Sequence, residues 1–470
     1  MKKVTTVRPA MYFSTLEIEN VKSFGEKQIL DLKNSEGKIS PWTLILGDNG
    51  VGKTTLLKCL AWMIPVEAPS NSSKTELEEN STKETEKVIL KAYMDDLDES
   101  NFEQLIRIGK DVKTRISVTV SNGVELGESP TKDSIVTVAM DFEKINDKLE
   151  VVTPQFGELN EFNSPNIFAY SANRHLAYKN LENSDLKDPI SNLFSDSGDL
   201  YDAEQLLSML DTASIRQGNK GKATDLLLKI KEILVDLLPD IKDSNSIIVN
   251  SPINDDGSIN KDLVEVQTDD GKVKLFDLSL GYVTMLTWIV DLAVRMLWRF
   301  PDSPEPLKEP SIVIVDEIDL HLHPIWQRMV MQKLTFHFSR AQFICTAHSP
   351  FMAQSSENQN LCVVSRINET IHIKNEPAIV KGWRIGQIIT SDLFGIESER
   401  SPEIEELVNN RRKILDKKDI SLEDELVLES LDEKLSDIPV LDDDNQRLLN
   451  KIDKAAKLLI EKGGLDDKNN

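Results

Sequence analysis

Apolar and polar positions alternate over YFSTLEIENV, Tyr12 to Val21, and again over KQILDL, Lys27 to Leu32, a period of two that predicts a hairpin. A mostly apolar run from Trp42 to Leu46 predicts a buried strand, and it stops at the glycines of GDNGVGKTTLLKCLAWMI. From Thr54 the period lengthens, with Leu56, Leu57, Leu60 and Ile64 at helical spacing. TRISVTV and SIVTVAMDF alternate once more and predict a small antiparallel sheet. NIFAYSANR predicts a further strand ending near Arg174.

Residues of about 181–243 carry helical periodicity, as in ATDLLLKIKEILVDLLPDI, and predict a helical lobe. In LSLGYVTML, Ser279 is placed to cap a helix that buries Val283, Leu286, Ile289, Val290 and Ala293. Two more buried strands are expected in SIVIVDEIDLHLHP and AQFICTAHSP. Past residue 380 the chain is charged and helical, with Ser421 and Asp424 as a capping pair and Leu428, Leu431 and Leu435 on one face. This predicts a helical hairpin that packs on a partner or on the body, or simply stands solvated. No long heptad run lies between residue 52 and residue 311, which excludes a long coiled-coil arm.

Composition narrows the class. The 470 residues are 40% hydrophobic and 29% charged, the profile of a soluble protein, and no apolar run reads as long enough to span a bilayer. The basic start of the chain lacks a signal-peptide core, and Cys59, Cys345 and Cys362 lie far apart in apolar surroundings, so a cytoplasmic location is expected. Against 55 Lys and Arg stand 79 Asp and Glu, a net charge of -24. That balance argues against wrapping nucleic acid over the whole surface but leaves room for a local basic groove. Residues 66–88, rich in Ser, Thr and Glu, predict an exposed or disordered insertion.

Candidate chemistry sits at the strand ends. Gly47-Asp48-Asn49-Gly50-Val51-Gly52-Lys53-Thr54 is a phosphate-binding loop in its strand-to-helix setting. Glycines let N–H groups surround phosphates, and the helix start adds a positive dipole end. Gly47, Asn49, Gly50, Gly52, Lys53, Thr54 and Thr55 are therefore the candidate ATP-binding residues, with Lys53 reaching the β- and γ-phosphates and Thr54 ligating Mg2+. Asp316, at the end of the strand Ile312 to Val315, is the second candidate magnesium residue, and Glu317 the candidate base for the attacking water. The alternative reading of the pair is a strand end with two solvated acids. His348, after a third strand, is placed to bond the γ-phosphate.

The order of phosphate loop, LSLG, Val-Asp-Glu strand and Thr-Ala-His-Ser strand resembles the ABC-type ATPases of the SMC, RecF and OLD group, from LEIENVKSFGE to about Phe351. The resemblance implies an α/β fold. Residues 1–380 would form an ABC-ATPase-like head with a mixed sheet core, an antiparallel β subdomain and a helical lobe, and 381–470 a C-terminal helical extension. It also implies that Ser279 and Gly281 cap ATP bound at Lys53 of a second copy, as a homodimer or higher homo-oligomer, and that a D-loop position near Asp319 faces the interface. Leu280 and Tyr282 depart from the family's LSGGQ. The fragment AYSANR and the histidines His321 and His323 also have counterparts in relatives.

An OLD-type Toprim nuclease needs acids after buried strands, whereas Asp442-Asp443-Asp444 sits between helical segments, so no nuclease activity of its own is expected. The segment GWRIGQIITSDLFG and the charged tail resemble the PtuA-type ATPases of Septu and retron-linked antiphage systems. That resemblance implies an HNH nuclease partner like PtuB, with nucleic acid contacted through the complex and no membrane. Three alternatives stay open: a PARIS-like ATPase holding a Toprim effector, a RecF- or SMC-like DNA-repair ATPase, and a scaffold that binds ATP without hydrolysing it.

Overall fold

A computed structural model describes residues 9–435 except 69–87, 97–104, 108–112, 146–147, 156, 160–161, 163, 175–187, 195–199, 239–240, 255, 270, 356–358, 369, 376–379, 381, 397 and 418–419. The chain divides into two compact units, residues 1–395 and 396–470.

In the first unit β1 (Met11–Glu19) and β2 (Gln28–Asp31) form the predicted hairpin, Thr15 opposite Asp31. β3 (Trp42–Gly47) leads through the glycine loop into α1 (Lys53–Trp62). The expected insertion at 66–88 is corrected at both ends. β4 (Pro65–Glu67) pairs with β5 (Val88–Ala92), which in turn pairs with β9 (Gly157–Leu159); residues 69–87 lie outside those described. β6 (Thr114–Asn122), β7 (Ile135–Ile145) and β8 (Lys148–Gln155) extend the first hairpin into a five-stranded sheet of order β2-β1-β6-β7-β8, antiparallel throughout.

The chain then enters its central sheet at β10 (Ile167–Tyr170) and leaves it for α2 (Ser191–Phe194), α3 (Ala203–Arg216) and α4 (Lys222–Leu237), the described helices of the expected lobe. β11 (Ile247–Val249), β12 (Val264–Thr268) and β13 (Gly271–Lys274) form a small sheet that the hydrophobic pattern did not announce. α5 (Leu280–Arg299) follows, then β14 (Ser311–Val315), α6 (Pro324–Gln327), α7 (Val330–His337), β15 (Ala341–Thr346), α8 (Pro350–Ser355), β16 (Asn360–Ile367), β17 (Thr370–Lys374) and α9 (Ile385–Ile389).

The central sheet has six strands in the order β10-β14-β15-β3-β16-β17. All pair parallel except β17, so the architecture is α/β with a mixed sheet. Side chains alternate across it. Trp42, Leu44 and Leu46 face one core together with Trp288 and Ile289 of α5, while Ile45 faces the other with Leu56, Leu57 and Leu60 of α1 and Leu16 of β1. The phosphate-loop helix and the LSLG helix therefore lie on opposite faces. A buried glutamine ties the antiparallel sheet to the centre: Gln342 of β15 accepts from the Phe13 N–H at 2.9 Å and donates to its carbonyl at 2.8 Å, where β1 is bulged.

One expectation about membranes is overturned. α5 is by itself long and apolar enough to cross a bilayer, but 78% of its apolar window is buried inside the unit, and Asp291 is fully buried within it. Core packing on the sheet accounts for its hydropathy.

The second unit contains α10 (Pro402–Leu415) and α11 (Leu422–Leu435). Ser401 caps the first, and Ser421 and Asp424 exchange the capping bonds read from the sequence. Leu431 is buried, and Arg411 pairs with Asp432 at 2.5 Å across the hairpin. Asp442-Asp443-Asp444 lie outside the described residues.

Candidate functional site

Parallel strands that end side by side deliver their following residues to one edge of the sheet, the place where open α/β sheets take ligands. Here β3, β14 and β15 end together, with Ile45 beside Thr346 and Val315 beside Cys345. The loop after β3 carries Gly47, Gly50 and Gly52 at positive φ, 144°, 76° and 97°. At Gly47 a Cβ would also lie 2.1 Å from the Val364 carbonyl oxygen, so only glycine fits. Among the described residues the N–H groups of Asp48 to Gly52 have no protein acceptor. Five donors left over at a helix start are what an anion would satisfy.

Lys53 is 6% exposed, and its ammonium donates at 2.8 Å to the carbonyls of both Gly47 and Asp48. Burial pulls its pKa below the usual lysine range against the opposing pull of Asp316, Glu317, Asp48 and Asp319. Thr54 is exposed at the mouth of the loop, and its hydroxyl donates to Asp316 Oδ2 at 2.7 Å. Asn49 is exposed and Thr55 is buried behind the loop.

Asp316 is nearly inaccessible, at 4%, and its other oxygen accepts from the Thr346 hydroxyl at 2.6 Å. Thr346 also accepts from the Glu317 N–H at 2.6 Å, so one hydroxyl bridges the adjacent acids. Glu317 adopts φ 48°, a left-handed conformation that L side chains rarely take. Its carboxylate has no hydrogen-bond partner among the described residues. The backbone is held while the acid is left unengaged.

Arg174, whose contacts the sequence did not disclose, does much of that holding. It is 2% exposed and donates to the carbonyls of Ser171 at 2.9 Å, Glu317 at 2.9 Å and Asp316. Burial draws its guanidinium down to about 10. The signal available in the sequence was the basic residue closing a buried strand in AYSANR.

His348 follows β15, with its backbone N–H donating to Asp319 Oδ2 at 2.9 Å. Asp319 is buried within the chain, its carboxylate accepting from that amide. Gln327 ties the same turn together, donating to the Leu322 carbonyl at 3.0 Å and accepting from the Ser349 hydroxyl at 2.5 Å.

Lys53, Thr54, Asp316, Glu317 and His348 thus gather at one sheet edge, whereas Ser279 and Gly281 begin a helix on the other face. Ser279 occupies the N-cap position of α5, but its hydroxyl makes no capping bond. Leu280 beside it is 54% exposed. Gly281 is buried, and a Cβ there would lie 2.2 Å from the His321 carbonyl oxygen. Close packing on the turn after the carboxylates is therefore reason enough for this glycine within a single chain. The buried face predicted for α5 is present, with Val283, Leu286, Ile289, Val290 and Ala293 all inside.

Two AAA-domain family models match this chain. One, described as an AAA domain, covers residues 15–238, and the other, an AAA domain, putative AbiEii toxin, Type IV TA system, covers residues 161–352. The chain is similar to a retron Ec83 probable ATPase of Escherichia coli, at 33% identity over 29% of this chain and 24% of that one. It is also similar to a retron Vc95 probable ATPase of Vibrio cholerae, at 22% over 75% of this chain and 74% of that one. With a Septu protein PtuA of Bacillus mycoides it shares 24% over 90% of this chain and 50% of that one. The chain thus spans a quarter of the first relative's length and half of the third's. An SmcHead crystal structure bound to the C-winged helix domain of ScpA aligns with a TM-score of 0.39 at 14% identity, over 77% of this chain and 97% of that one. In sequence the chain is thus similar to PtuA and retron ATPases, and its fold is α/β with a mixed central sheet.

Proposed function

We propose that this chain is a cytoplasmic ATPase of an antiphage defence complex, that two copies sandwich two ATP molecules head to tail, and that the cycle assembles and regulates a separate HNH-type nuclease. The observation that carries the ATPase reading is the pairing of Thr54 with Asp316, 262 residues apart, beneath a loop of unsatisfied N–H groups. A chance glycine loop has no reason to meet a buried carboxylate.

Thr54 and Asp316 present a hydroxyl and a carboxylate oxygen side by side, hard donors of the kind magnesium accepts while keeping water and phosphate as its other ligands. The residues fit the ion, which when bound supplies charge neutralisation to the phosphates. The rest belongs to the chain. The loop N–H groups bind phosphate oxygens, and Lys53 exchanges two carbonyls for them. Glu317, its backbone pinned by Arg174 and Thr346, takes a proton from water. His348 bonds the terminal phosphate, and Ser279 with Gly281 reaches it from the second copy. A hydroxyl without a cap bond and an exposed leucine at the start of α5 support an interface there.

The defence role and the nuclease partner rest on the likeness to Septu and retron proteins. Phosphate release by the purified chain, compared with Lys53→Ala, tests the ATPase, and a rate unchanged in that variant overturns it. Co-expression with the product of an adjacent HNH gene tests the partner; stable capture of a Toprim protein instead would favour the PARIS-like alternative.

A further inference from the structure

The segment GWRIGQIITSDLFG takes no part in the nucleotide site. Its Trp383 and Arg384 instead line a cleft of 940 Å³ together with residues of α7 and the end of α8. Phe336 and Trp383 are 75% and 36% exposed, a large apolar surface to leave in water. Arg328 and Arg384 stand at the same cleft with no carboxylate partner among the described residues, although the chain carries a net charge of -24. Gln354 and Gln359 add polar side chains to the same wall. Gln354 is oriented by its own amide, which donates to the Trp383 carbonyl at 2.9 Å.

An occupant that matches two exposed rings and two arginines must bring flat faces and negative charge together. Nucleotides do so through bases and phosphates, and only unpaired bases offer their faces. A polypeptide would have to be both acidic and aromatic. We propose that this cleft binds single-stranded nucleic acid, with bases stacked on Trp383 and Phe336 and phosphates on Arg328 and Arg384.

The test is fluorescence anisotropy of the full-length chain without ATP, using labelled single-stranded DNA of mixed sequence and about twenty nucleotides. Binding should weaken as salt rises. Trp383→Ala and the double variant Arg328→Ala/Arg384→Ala should each lose about tenfold or more, while Trp383→Phe keeps most of the affinity because it keeps a stacking face. Lys53→Ala should bind as the wild type does, which separates this proposal from the ATPase reading. Unchanged basal phosphate release in Trp383→Ala shows that the fold survives. The proposal is overturned if the wild type does not bind, if the cleft variants bind equally well, or if duplex DNA binds as tightly with the same dependence on these residues. It is overturned as well if the variants keep their DNA affinity and lose a polypeptide partner instead.

Discussion

The Thr54 hydroxyl donates to the Asp316 carboxylate at 2.7 Å, joining the first turn of α1 to the end of β14. Asp316→Asn keeps the shape and removes the charge. It should reduce magnesium-dependent hydrolysis by about two to three orders of magnitude, as phosphate release will show. Chelating magnesium from the wild type should give a comparable loss.

Glu317→Gln should bind ATP nearly as the wild type does and turn it over about a hundredfold to ten-thousandfold more slowly. Equilibrium binding of a fluorescent ATP analogue and single-turnover hydrolysis separate the two effects. Turnover at the normal rate would assign the base elsewhere.

Ser279→Arg should abolish hydrolysis and ATP-dependent dimer closure while leaving ATP binding at Lys53 largely intact. Mixing it with Lys53→Ala is the sharper experiment, since a mixed dimer regains one complete site from two inactive parents. Activity in the mixture above that of either parent supports a shared site, and a mixture as dead as both parents argues against one.

Arg174→Ala removes a buried guanidinium from three carbonyls and should cost about 3 kcal/mol of stability by denaturant unfolding. Arg174→Lys keeps the charge without the fork. It should recover part of that stability and less of the turnover, because one ammonium cannot hold the Asp316 and Glu317 carbonyls in the same geometry.

Burial, then the neighbouring Asp202 carboxylate, pushes Glu204 of α3 up to about 7. Between the ordinary glutamate value of about 4.3 and that raised value, the unfolded chain sheds a proton that the folded chain keeps. This group's contribution therefore falls as pH rises through the window. Glu204→Gln should melt a few degrees above the wild type at about pH 8, and the gap should shrink toward about pH 5.

What the sequence disclosed was local. The phosphate loop, the strand before the paired acids, the hairpin at the start and the capping pair Ser421 and Asp424 each depend on neighbours within a few residues. Pro65–Glu67 and Val88–Ala92 escaped notice because the polar stretch between them dominates the composition, and their pairing depends on distant Gly157–Leu159. The short strands from Ile247 to Lys274 were hidden by Asn, Asp and Gly turns. The bond from the His348 amide to the Asp319 carboxylate was not legible either, because it joins the turns after two different strands. Arg174 acquires meaning only when Glu317, 143 positions away, comes to meet it, and the aromatic cleft only when separate elements bring Phe336 and Trp383 to one wall.

Tyr170 answers to two masters. Its hydroxyl donates to Asp291 of α5 at 2.9 Å, and its carbonyl accepts from the Asp316 N–H at 2.8 Å. Asp291 is locked in turn by Arg295 at 2.7 Å, and Gly281 leans on the turn that follows the paired acids. Helix and carboxylate strand are thus bonded to each other within one chain, and the helix cannot slide along the strand without breaking the bond between Tyr170 and Asp291.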